Sequence, residues 1–375
     1  MILNDVCELI VDCLHSTAYD EGCGYPLIRT PNIGRGRLIL DDVHRVSEKV
    51  YIERNVRATP QEDDLVLARE APAGNIAIIG KNQKVCLGQR TVLIRPDIKK
   101  VSSLYLMYYL LMPNQQYELL GTANGATVPH VNMSTIRKLP IALPDLDTQK
   151  SVAEFINVYD NLIENNQKQI KLLEEASQRL YKEWFIDLRF PGHENVEIVD
   201  GTPVGWECLD FLKVAPIITG KKDANFGSEN GKYLFFTCSQ QPLLAESYSY
   251  DCDAVILAGN GDFNVKLYRG KFEAYQRTYV LSPYKTEHLY LLFYTIKNRM
   301  NYLIQGASGS TIKFLTKGMI ADIKVLVPTC EILNQYNEIA EPLQRKLEVL
   351  IYQNKLLTEA RDRLLPKLMS GEIEV

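Results

Sequence analysis

The sequence predicts an α+β fold: two globular α/β domains separated by two long antiparallel helices, with an internal pseudo-twofold repeat. Three observations predict this fold. Motifs recur at half the chain length, each half begins with a mixed, turn-rich region, and each half ends in a heptad pattern. The 375 residues allow two or three domains at roughly 100–200 residues each. A composition of 46% apolar and 23% charged residues excludes a disordered chain, a collagen-like fibre and a small disulfide scaffold.

The repeat is the strongest of these observations. Five motifs of the first half recur in the same order in the second half, at offsets of 184 to 187 residues. This period is too long for a solenoid, so we interpret it as one domain type used twice. The matched segments are 89–93 with 276–281, 104–106 with 289–291, 121–127 with 306–311, 139–144 with 325–328, and 171–176 with 355–360.

Strand-like and helix-like segments occur in the same order in both halves. Residues 64–68 and 76–79 predict strands in the first half, and residues 253–257 and 277–281 predict them in the second. Residues 104–111 and 289–297 predict short buried helices. We place the domains at residues 1–144 and 206–328, the long helices at 145–188 and 329–375, and a Gly/Pro-marked linker at 189–205.

A heptad pattern closes each half, with apolar residues at alternating steps of four and three over 147–187 and again over 336–368. We interpret the two seams as one intramolecular coiled coil. The alternative is that each helix packs only on its own domain. Asn166 and Asn354 interrupt the seams near their middles and are candidates for fixing helix register. Pro342 predicts the start of the second helix, and Pro366 predicts a kink or an end.

The net charge of −4 hides a segregation of charge along the chain. Residues 69–100 and residues 266–299 each carry seven Lys and Arg against two acidic residues, and residues 29–57 carry seven against four. The helical segments are acidic, with nine acids against five bases over 145–187. Local basic faces favour phosphate contact more than a basic total does. The alternative is a solvated surface of uneven charge.

Catalytic and metal-binding motifs are missing from the sequence. It has no P-loop, no Gly-x-Gly-x-x-Gly turn, no Asn/Asp-Pro-Pro run and no nucleophile motif. The eight cysteines are scattered without a Cys-x-x-Cys pair, and we expect reduced thiols in a cytoplasmic protein and no metal site. His15 and His130 are interpreted as ordinary structural histidines. The first residues predict no signal peptide.

Side chains that read base edges or bind phosphate occur in the predicted turns. Each of them has a surface or capping role as its alternative, and the repeated Gln-Arg-Thr motif has a purely structural one. Residues that specify a sequence should differ between the halves. The candidates are Arg29, Asn32, Arg35, Arg37, Arg69, Gln89, Arg90, Lys221, Lys222, Asn260, Gln276, Arg277 and Lys313.

The sequence resembles the specificity subunit of type I restriction–modification systems over essentially its whole length. The motifs at residues 11–17, 27–33 and 68–75 are similar to one common type of target recognition domain. Residues 143–149 and 180–185 are similar to the family's central spacer, and residues 219–222 and 274–281 to a second recognition domain.

The resemblance implies two target recognition domains, each reading one half of a bipartite double-stranded DNA site in the major groove. It implies no catalysis and no cofactor in this chain. Two modification subunits would bind S-adenosylmethionine and methylate a flipped adenine, and restriction subunits would use ATP and Mg²⁺ for translocation and cleavage. Trp184 and Phe185 are candidate partner-surface residues, with core packing as the alternative.

Two other function classes stay open. One is an autonomous DNA-modifying enzyme with divergent motifs. The other is a coiled-coil scaffold that does not bind DNA.

Overall fold

A computed structural model describes residues 1–121, 130–309 and 313–375 of the chain. Its contacts form two compact units. Unit 1 comprises Met1–Asn165 with Gln353–Val375, and unit 2 comprises Asn166–Tyr352. Each unit therefore includes half of each long helix, whereas the predicted boundaries set the helices apart from the globular domains. The repeated motif at 121–127 and 306–311 lies mostly outside the described residues.

The described residues of unit 1 form two sheets and four short α-helices beside the long ones. The larger sheet has the order β1-β8-β5-β6-β3, and the smaller one has the order β4-β2-β7. Strand pairs β3–β6 and β2–β7 are parallel, and the others are antiparallel. The strands are β1 (Cys7–Asp12), β2 (Tyr25–Ile28), β3 (Gly36–Arg37), β4 (Arg45–Val46), β5 (Leu65–Ala68), β6 (Ile76–Ile78), β7 (Cys86–Leu87) and β8 (Thr91–Pro96). The helices are α1 (Glu48–Arg54), α2 (Ser103–Leu110), α3 (Pro113–Gly121) and α4 (Met133–Lys138).

The central strand of unit 1 is buried on both faces. In β5, Leu65 and Leu67 face the cluster that includes helix α2, while Val66 and Ala68 face a second cluster on the other side. Successive strand side chains point to opposite faces, so a continuous apolar run is what a strand covered on both sides requires.

Unit 2 is built on a six-stranded sheet of order β12-β17-β15-β16-β13-β14, a strand pair β11-β18 and a hairpin β9-β10. Its strand β15 is also covered on both faces, with Val255 and Leu257 in one cluster and Ala254 and Ile256 in the other. The strands are β9 (Ile198–Val199), β10 (Thr202–Pro203), β11 (Glu207–Asp210), β12 (Ile218–Thr219), β13 (Tyr233–Phe236), β14 (Leu243–Ala245), β15 (Tyr250–Ala258), β16 (Val265–Ala274), β17 (Thr278–Leu281) and β18 (Lys324–Val327). The short helices and the longer α-helix of this unit are α6 (Phe211–Val214), α8 (Lys317–Ala321) and α7 (Leu289–Gly306).

Two long helices carry the predicted heptad seams. Helix α5 spans Leu146–Tyr181 and ends in a π-helical turn, Lys182–Ile186, while helix α9 spans Cys330–Ser370. Every predicted seam position is buried or half-buried. Among the described residues, no helix is both long and apolar enough to cross a membrane.

The two helices run antiparallel within each unit, and they also pack on the globular part of that unit. In unit 1, Arg361 Nη1 lies 2.7 Å from Asp160 Oδ1, and Asn354 Nδ2 donates to the Ile163 carbonyl at 3.3 Å. In unit 2, the rings of Trp184 and Tyr336 are 5.8 Å apart. Both interpretations of the seams therefore hold in part. The role of Asn166 and Asn354 in helix register stays a prediction.

Two predicted helix boundaries at prolines are wrong. Pro342 lies inside α9 instead of starting it, and the helix does not end at Pro366 but continues to Ser370, while the kink at Pro366 stays a prediction. Both prolines are exposed, as are Glu338 and Asp362, the residues four positions before them. Water can therefore bind the carbonyls that lose their helical hydrogen bonds, and burial of the seam outweighs the remaining cost of proline, which is about 3 kcal/mol in a helix interior.

The aromatic residues at the end of α5 belong to the core of unit 2. Trp184 is 7% exposed and Phe185 is 4% exposed, and the Phe185 ring meets Tyr336 edge-on at 4.8 Å. They are therefore not partner-surface residues, and the core-packing alternative is correct. The predicted linker at 189–205 is also more structured than expected, because Phe190 packs on Trp206 at 4.6 Å and β9 and β10 form a hairpin.

Candidate functional site

The repeated Gln-Arg-Thr motif forms turns with matching backbone hydrogen bonds in both units, although Arg90 has a positive φ of 64° and Arg277 does not have a positive φ. The motif connects β7 to β8 in unit 1 and β16 to β17 in unit 2. On one side of the turn, a backbone amide donates to the carbonyl at the end of a neighbouring parallel strand. In unit 1 the Gly88 amide donates to Ile28 O at 2.7 Å, and in unit 2 the Tyr275 amide donates to Phe236 O at 2.9 Å. On the other side, the carbonyl of the arginine accepts a hydrogen bond of 2.9 Å from a backbone amide. The donor to Arg90 O is the Arg69 amide, and the donor to Arg277 O is the Gly259 amide.

Part of the motif is structural. Thr91 and Thr278 are fully buried, and they pair with Ala68 and Ala258 at equivalent places in the two sheets. Thr91 Oγ1 donates to the Gly88 carbonyl at 2.9 Å. The threonine of the motif therefore serves the shared fold, while the arginine side chains that precede it are exposed.

In unit 1 the turn borders a concavity of about 190 Å³. Arg29, Gln89 and Arg90 line it together with the hydroxyl-bearing Thr17 and Thr30. Gln89 is tethered, since its Nε2 donates to His15 O and to Thr17 Oγ1. Within the described part of the chain, the buried Arg29 Nε has no hydrogen-bond partner. The structure thus brings three of the predicted residues to one recess.

A chain of charged groups supports this turn from behind. Arg69 Nη1 lies 2.7 Å from Asp12 Oδ2, and Arg69 Nη2 lies 2.7 Å from His130 Nε2. The other ring nitrogen of His130, Nδ1, is 3.0 Å from Glu70 Oε1, and Glu70 Oε2 is 2.6 Å from Arg90 Nη1. The chain of contacts thus runs from the end of β1 to the exposed Arg90.

Four predicted DNA-binding residues of unit 1 make contacts within the fold, and for the exposed Arg35 and the partly exposed Arg37 the DNA-contact prediction stays untested. Arg69 is 7% exposed and is held at all its nitrogens, so the DNA-contact prediction is wrong for it. Asn32 is also buried, where its side chain accepts from the Arg29 amide at 3.1 Å and caps a short turn. Arg37 reaches Asn161 at 2.7 Å and ion-pairs with Glu164 on α5. Arg35 is exposed, but its Nη2 donates to the Leu111 carbonyl at 3.0 Å.

In unit 2 several of the predicted residues lie close together at the turn. The segment at 221–222 crosses the turn, with the Gln276 amide donating to Lys222 O at 2.9 Å. The Gln276 side chain donates to Asp223 at 2.9 Å. Lys221 and Lys222 lie over the rings of Tyr250 at 5.4 Å and Phe226 at 4.4 Å, respectively.

The remaining candidates of unit 2 lie at the edge of that surface. Asn260 follows Gly259 and forms a β-bridge with Phe314, which places it beside the exposed Lys313. Lys266 reaches the segment that contacts the turn, and it was counted in the basic window at 266–299 but was not a candidate for DNA contact. Burial lowers the pKa of Lys266, and its Nζ donates to Ser239 O at 2.9 Å.

The backbone contacts align the surroundings of the two turns residue by residue. Val131 donates to Arg69 O at 2.9 Å, and Leu315 donates to Gly259 O at 2.7 Å. Gly259 therefore occupies the place of Arg69, Phe314 that of His130, and Asn260 that of Glu70. Strand pairing places Asp12 opposite Val92 and Thr219 opposite Tyr279, so Thr219 corresponds to Asp12. The charged chain has apolar or uncharged counterparts in unit 2.

Ion pairs offset much of the charge in the two basic windows. Among the described residues, four of the seven cations in residues 69–100 pair with carboxylates, and two of the seven in residues 266–299 do. The alternative to phosphate contact, a solvated surface of uneven charge, therefore explains some of the basic residues in each of the two windows. At the turns, Arg277 is an exposed cation, and Arg90 is exposed as well although it pairs with Glu70.

Reasoning from single residues missed Glu70 and His130. Glu70 lies within the motif at 68–75 but was not a candidate, and His130 was interpreted as an ordinary structural histidine; each becomes notable only because the fold places it between Arg69 and Arg90. Over residues 1–121, 130–309 and 313–375, no three metal-ligating side chains converge into a possible metal site.

Comparisons with known proteins identify the family of this chain. A family model described as type I restriction modification DNA specificity domain matches residues 1–175 and 203–358. The chain is 39% identical over 169 residues to the type I restriction enzyme EcoDI specificity subunit of Escherichia coli. That match spans 44% of this chain and 36% of the relative, so it covers little more than a third of the relative's length.

Two further matches extend along most of the chain. The type I restriction enzyme MjaIX specificity subunit of Methanocaldococcus jannaschii is 26% identical over 361 residues, which covers 88% of this chain and 82% of the relative. The crystal structure of the type I restriction–modification S subunit from M. genitalium has a similar fold, with a TM-score of 0.69 at 16% identity, and covers 98% of this chain and 95% of that one. Since the family model matches both halves and most of the sequence, the chain belongs to the type I restriction–modification DNA specificity family.

Proposed function

We propose that this chain is the DNA sequence-recognition subunit of a type I restriction–modification complex. Each unit reads one half of a bipartite DNA site, and the chain performs no catalysis of its own. The observation that carries this proposal is the repeated turn. One backbone framework is used twice, and the side chains around it differ between the units. A protein that reads two different half-sites needs this combination, because the scaffold can be shared and base contacts cannot.

The exposed residues at the two turns are the best candidates for DNA contact. In unit 1 these are Arg29, Gln89 and Arg90, which line the concavity. In unit 2 they are Lys221, Lys222, Gln276 and Arg277, with Asn260 and Lys313 at the edge. Arginine and glutamine read the edges of guanine and adenine, and lysine binds phosphate. The buried Arg69 and Asn32 and the helix-bound Arg37 support the fold.

Partner subunits supply the chemistry in this proposal. Two modification subunits bind S-adenosylmethionine and methylate adenine, restriction subunits use ATP and Mg²⁺, and the assembly acts on DNA in the cytoplasm. With Trp184 and Phe185 buried, a different surface is needed for a modification subunit. Phe155, Val158 and Leu162 are exposed apolar residues at steps of three and four on α5, a spacing that suits a partner helix.

Mapping methylated adenines tests the proposal. We compare cells that carry the chain, cells in which it is deleted, and cells in which residues 1–144 are exchanged for the recognition domain of another specificity subunit. Deletion should abolish methylation at a bipartite motif. The exchange should change one half of the motif and leave the other half intact, because each unit has its own sheets and core.

An exchange of residues 206–328 is the matched control and should change only the opposite half. A motif that persists after deletion contradicts the proposal. Methyl transfer to DNA by the purified chain alone would favour the autonomous enzyme, and a reconstituted complex that binds no DNA at low salt would favour the scaffold. The family match supports neither of these alternatives.

A further inference from the structure

Arg90 combines an exposed side chain with an unusually constrained position. The side chain is 59% exposed, and its Nη1 lies 2.6 Å from Glu70 Oε2. The backbone of Arg90 has a φ of 64°, in the left-handed region that residues other than glycine adopt at a cost. Such strain persists only where the surroundings over-determine the conformation, and it concentrates at functional sites.

The carboxylate that pairs with Arg90 is itself held. Arginine nitrogens only donate, so His130 Nε2 must accept from Arg69 Nη2 at 2.7 Å. His130 Nδ1 then carries the proton and donates to Glu70 Oε1 at 3.0 Å. Arg69 is fixed in turn, because its Nε donates to Val131 O at 2.8 Å and its Nη1 pairs with Asp12. The direction of each hydrogen bond in this chain is therefore determined.

This arrangement favours base recognition over phosphate contact for Arg90. A guanidinium already paired with a carboxylate releases few counterions when it meets DNA, and a nearby negative charge repels phosphate. The guanidinium has five N–H donors, and one carboxylate leaves some of them available. Bidentate donation from arginine to O6 and N7 of guanine is the commonest specific contact in the major groove.

Unit 2 lacks every element of this support. Asn260, Gly259, Phe314 and Thr219 stand at the places of Glu70, Arg69, His130 and Asp12. Arg277 is exposed, and no carboxylate of the described residues forms an ion pair with it. The two arginines of the repeated motif are thus held differently, although their backbone contacts match.

We propose that Glu70 is a positioning residue that orients Arg90 for recognition of a guanine in the half-site read by unit 1. This inference rests on the proposed function. Glu70 touches no base, and it acts by holding the arginine side chain in one direction before DNA arrives. Arg277 has no such residue, so its contact in the other half-site is less discriminating.

The test uses Glu70→Gln in the full chain, expressed with its modification subunits, and maps methylated adenines. Glu70→Gln keeps the size of the side chain and removes its charge. We expect one position of a single half-site to lose about tenfold in discrimination for guanine, the scale of one bidentate contact. Recognition of the other half-site should be unchanged. The slope of log binding constant against log salt concentration should differ from that of the parent chain by less than the loss of one phosphate contact would cause.

Two further variants separate positioning from general damage. Arg90→Ala should relax the same position, and the double variant should be no worse than Arg90→Ala alone, because Glu70 acts through Arg90. Glu62→Gln makes the same charge change at an exposed site of unit 1 and should leave the motif intact.

The positioning role is overturned if Glu70→Gln keeps the motif while Arg90→Ala relaxes it. It is also overturned if Glu70→Gln lowers methylation equally at all sites, since that result indicates a structural role. Deletion of the chain is the separate test of the proposed function. A motif that survives deletion refutes that function, whereas a motif lost on deletion but unchanged in Glu70→Gln refutes only the positioning role.

Discussion

The turns at Gln89–Arg90 and Gln276–Arg277 share a backbone framework but differ in what surrounds them. Behind the first lies a chain of hydrogen-bonded polar and charged side chains that includes Arg69 and His130, and at the equivalent places behind the second lie Gly259 and Phe314. Gly259 leaves no room for a side chain, because an added Cβ would lie 2.4 Å from Arg277 O. The same backbone hydrogen bonds thus form at both turns, although polar side chains surround the turn of unit 1 and a glycine and a phenylalanine stand at the equivalent places in unit 2.

A second comparison shows a feature that both units keep. Arg37 of unit 1 pairs with Glu164 on α5, and Arg269 of unit 2 pairs with Glu348 on α9 at 3.0 Å. The two glutamates are 184 residues apart, at the offset of the repeat. The arginines lie on different strands, β3 and β16. The contact between the globular part and the helix is therefore retained even though its arginine comes from another place.

The largest expected effect comes from removing the anchor of the charged chain. Arg69→Ala removes the arginine donors of Asp12, Val131 O and His130, although Asp12 keeps its contact with His15 at 3.1 Å. We expect the free energy of unfolding to fall by about 3 kcal/mol, as for breaking a buried pair from one side. Urea denaturation of the full chain measures it.

Arg90→Ala is the matched control at the exposed end of the same chain of contacts. This variant should lower the free energy of unfolding by less than about 1 kcal/mol, because exposed ion pairs contribute little to stability. If the two variants were equally stable, Arg69 would not be the anchor of unit 1.

An intermediate effect is expected from Gly259→Ala in unit 2. The added methyl group would lie 2.4 Å from Arg277 O and 3.0 Å from Tyr279 Cε2, so the turn must shift. We expect a loss of about 2 kcal/mol in thermal or urea unfolding, typical of overpacking.

Gly318→Ala provides the control for Gly259→Ala. Gly318 lies in α8, and the nearest atom to its added Cβ is Thr316 Oγ1 at 3.8 Å. This variant should be neutral or stabilising by up to about 1 kcal/mol, since alanine favours helix. If the Gly259→Ala protein were as stable as this control, unit 2 would have room for a side chain at Gly259, the counterpart of Arg69.

The smallest expected effect tests the feature that the units share. Double-mutant cycles on Arg37 with Glu164 and on Arg269 with Glu348 should each give a coupling of about 0.5–1 kcal/mol, since both pairs are half-exposed. Unfolding of the single and double alanine variants measures the coupling. A clear coupling in one unit and none in the other would mean that only one of the two contacts holds its helix.

Much of the fold was predictable because its signals are local and periodic. The heptad seams place Val152, Ile156 and Leu347 correctly in the interior. The apolar runs at β5 and β17 have the pattern of strands buried on both faces. The repeat predicted equivalent turns, which the strand registers reproduce.

The site was less predictable, because single residues do not show what they contact. Arg69 and Arg90 look alike in sequence, yet one is buried on Asp12 and the other is exposed beside Glu70. Trp184 and Phe185 fit a partner surface by position, and the π-helical turn places them in the core of unit 2. The prolines of α9 were misjudged because their tolerance depends on exposure.

The sequence by itself determined the repeated organisation, the helix seams and the family, since each of these depends on residue order along the chain. Only the tertiary structure decided which arginines are available for DNA contact. That property depends on carboxylates and a histidine distant in sequence, such as Asp12 and His130 around Arg69. Long-range contacts of this kind leave no periodic trace, and a charge count includes paired and unpaired cations alike.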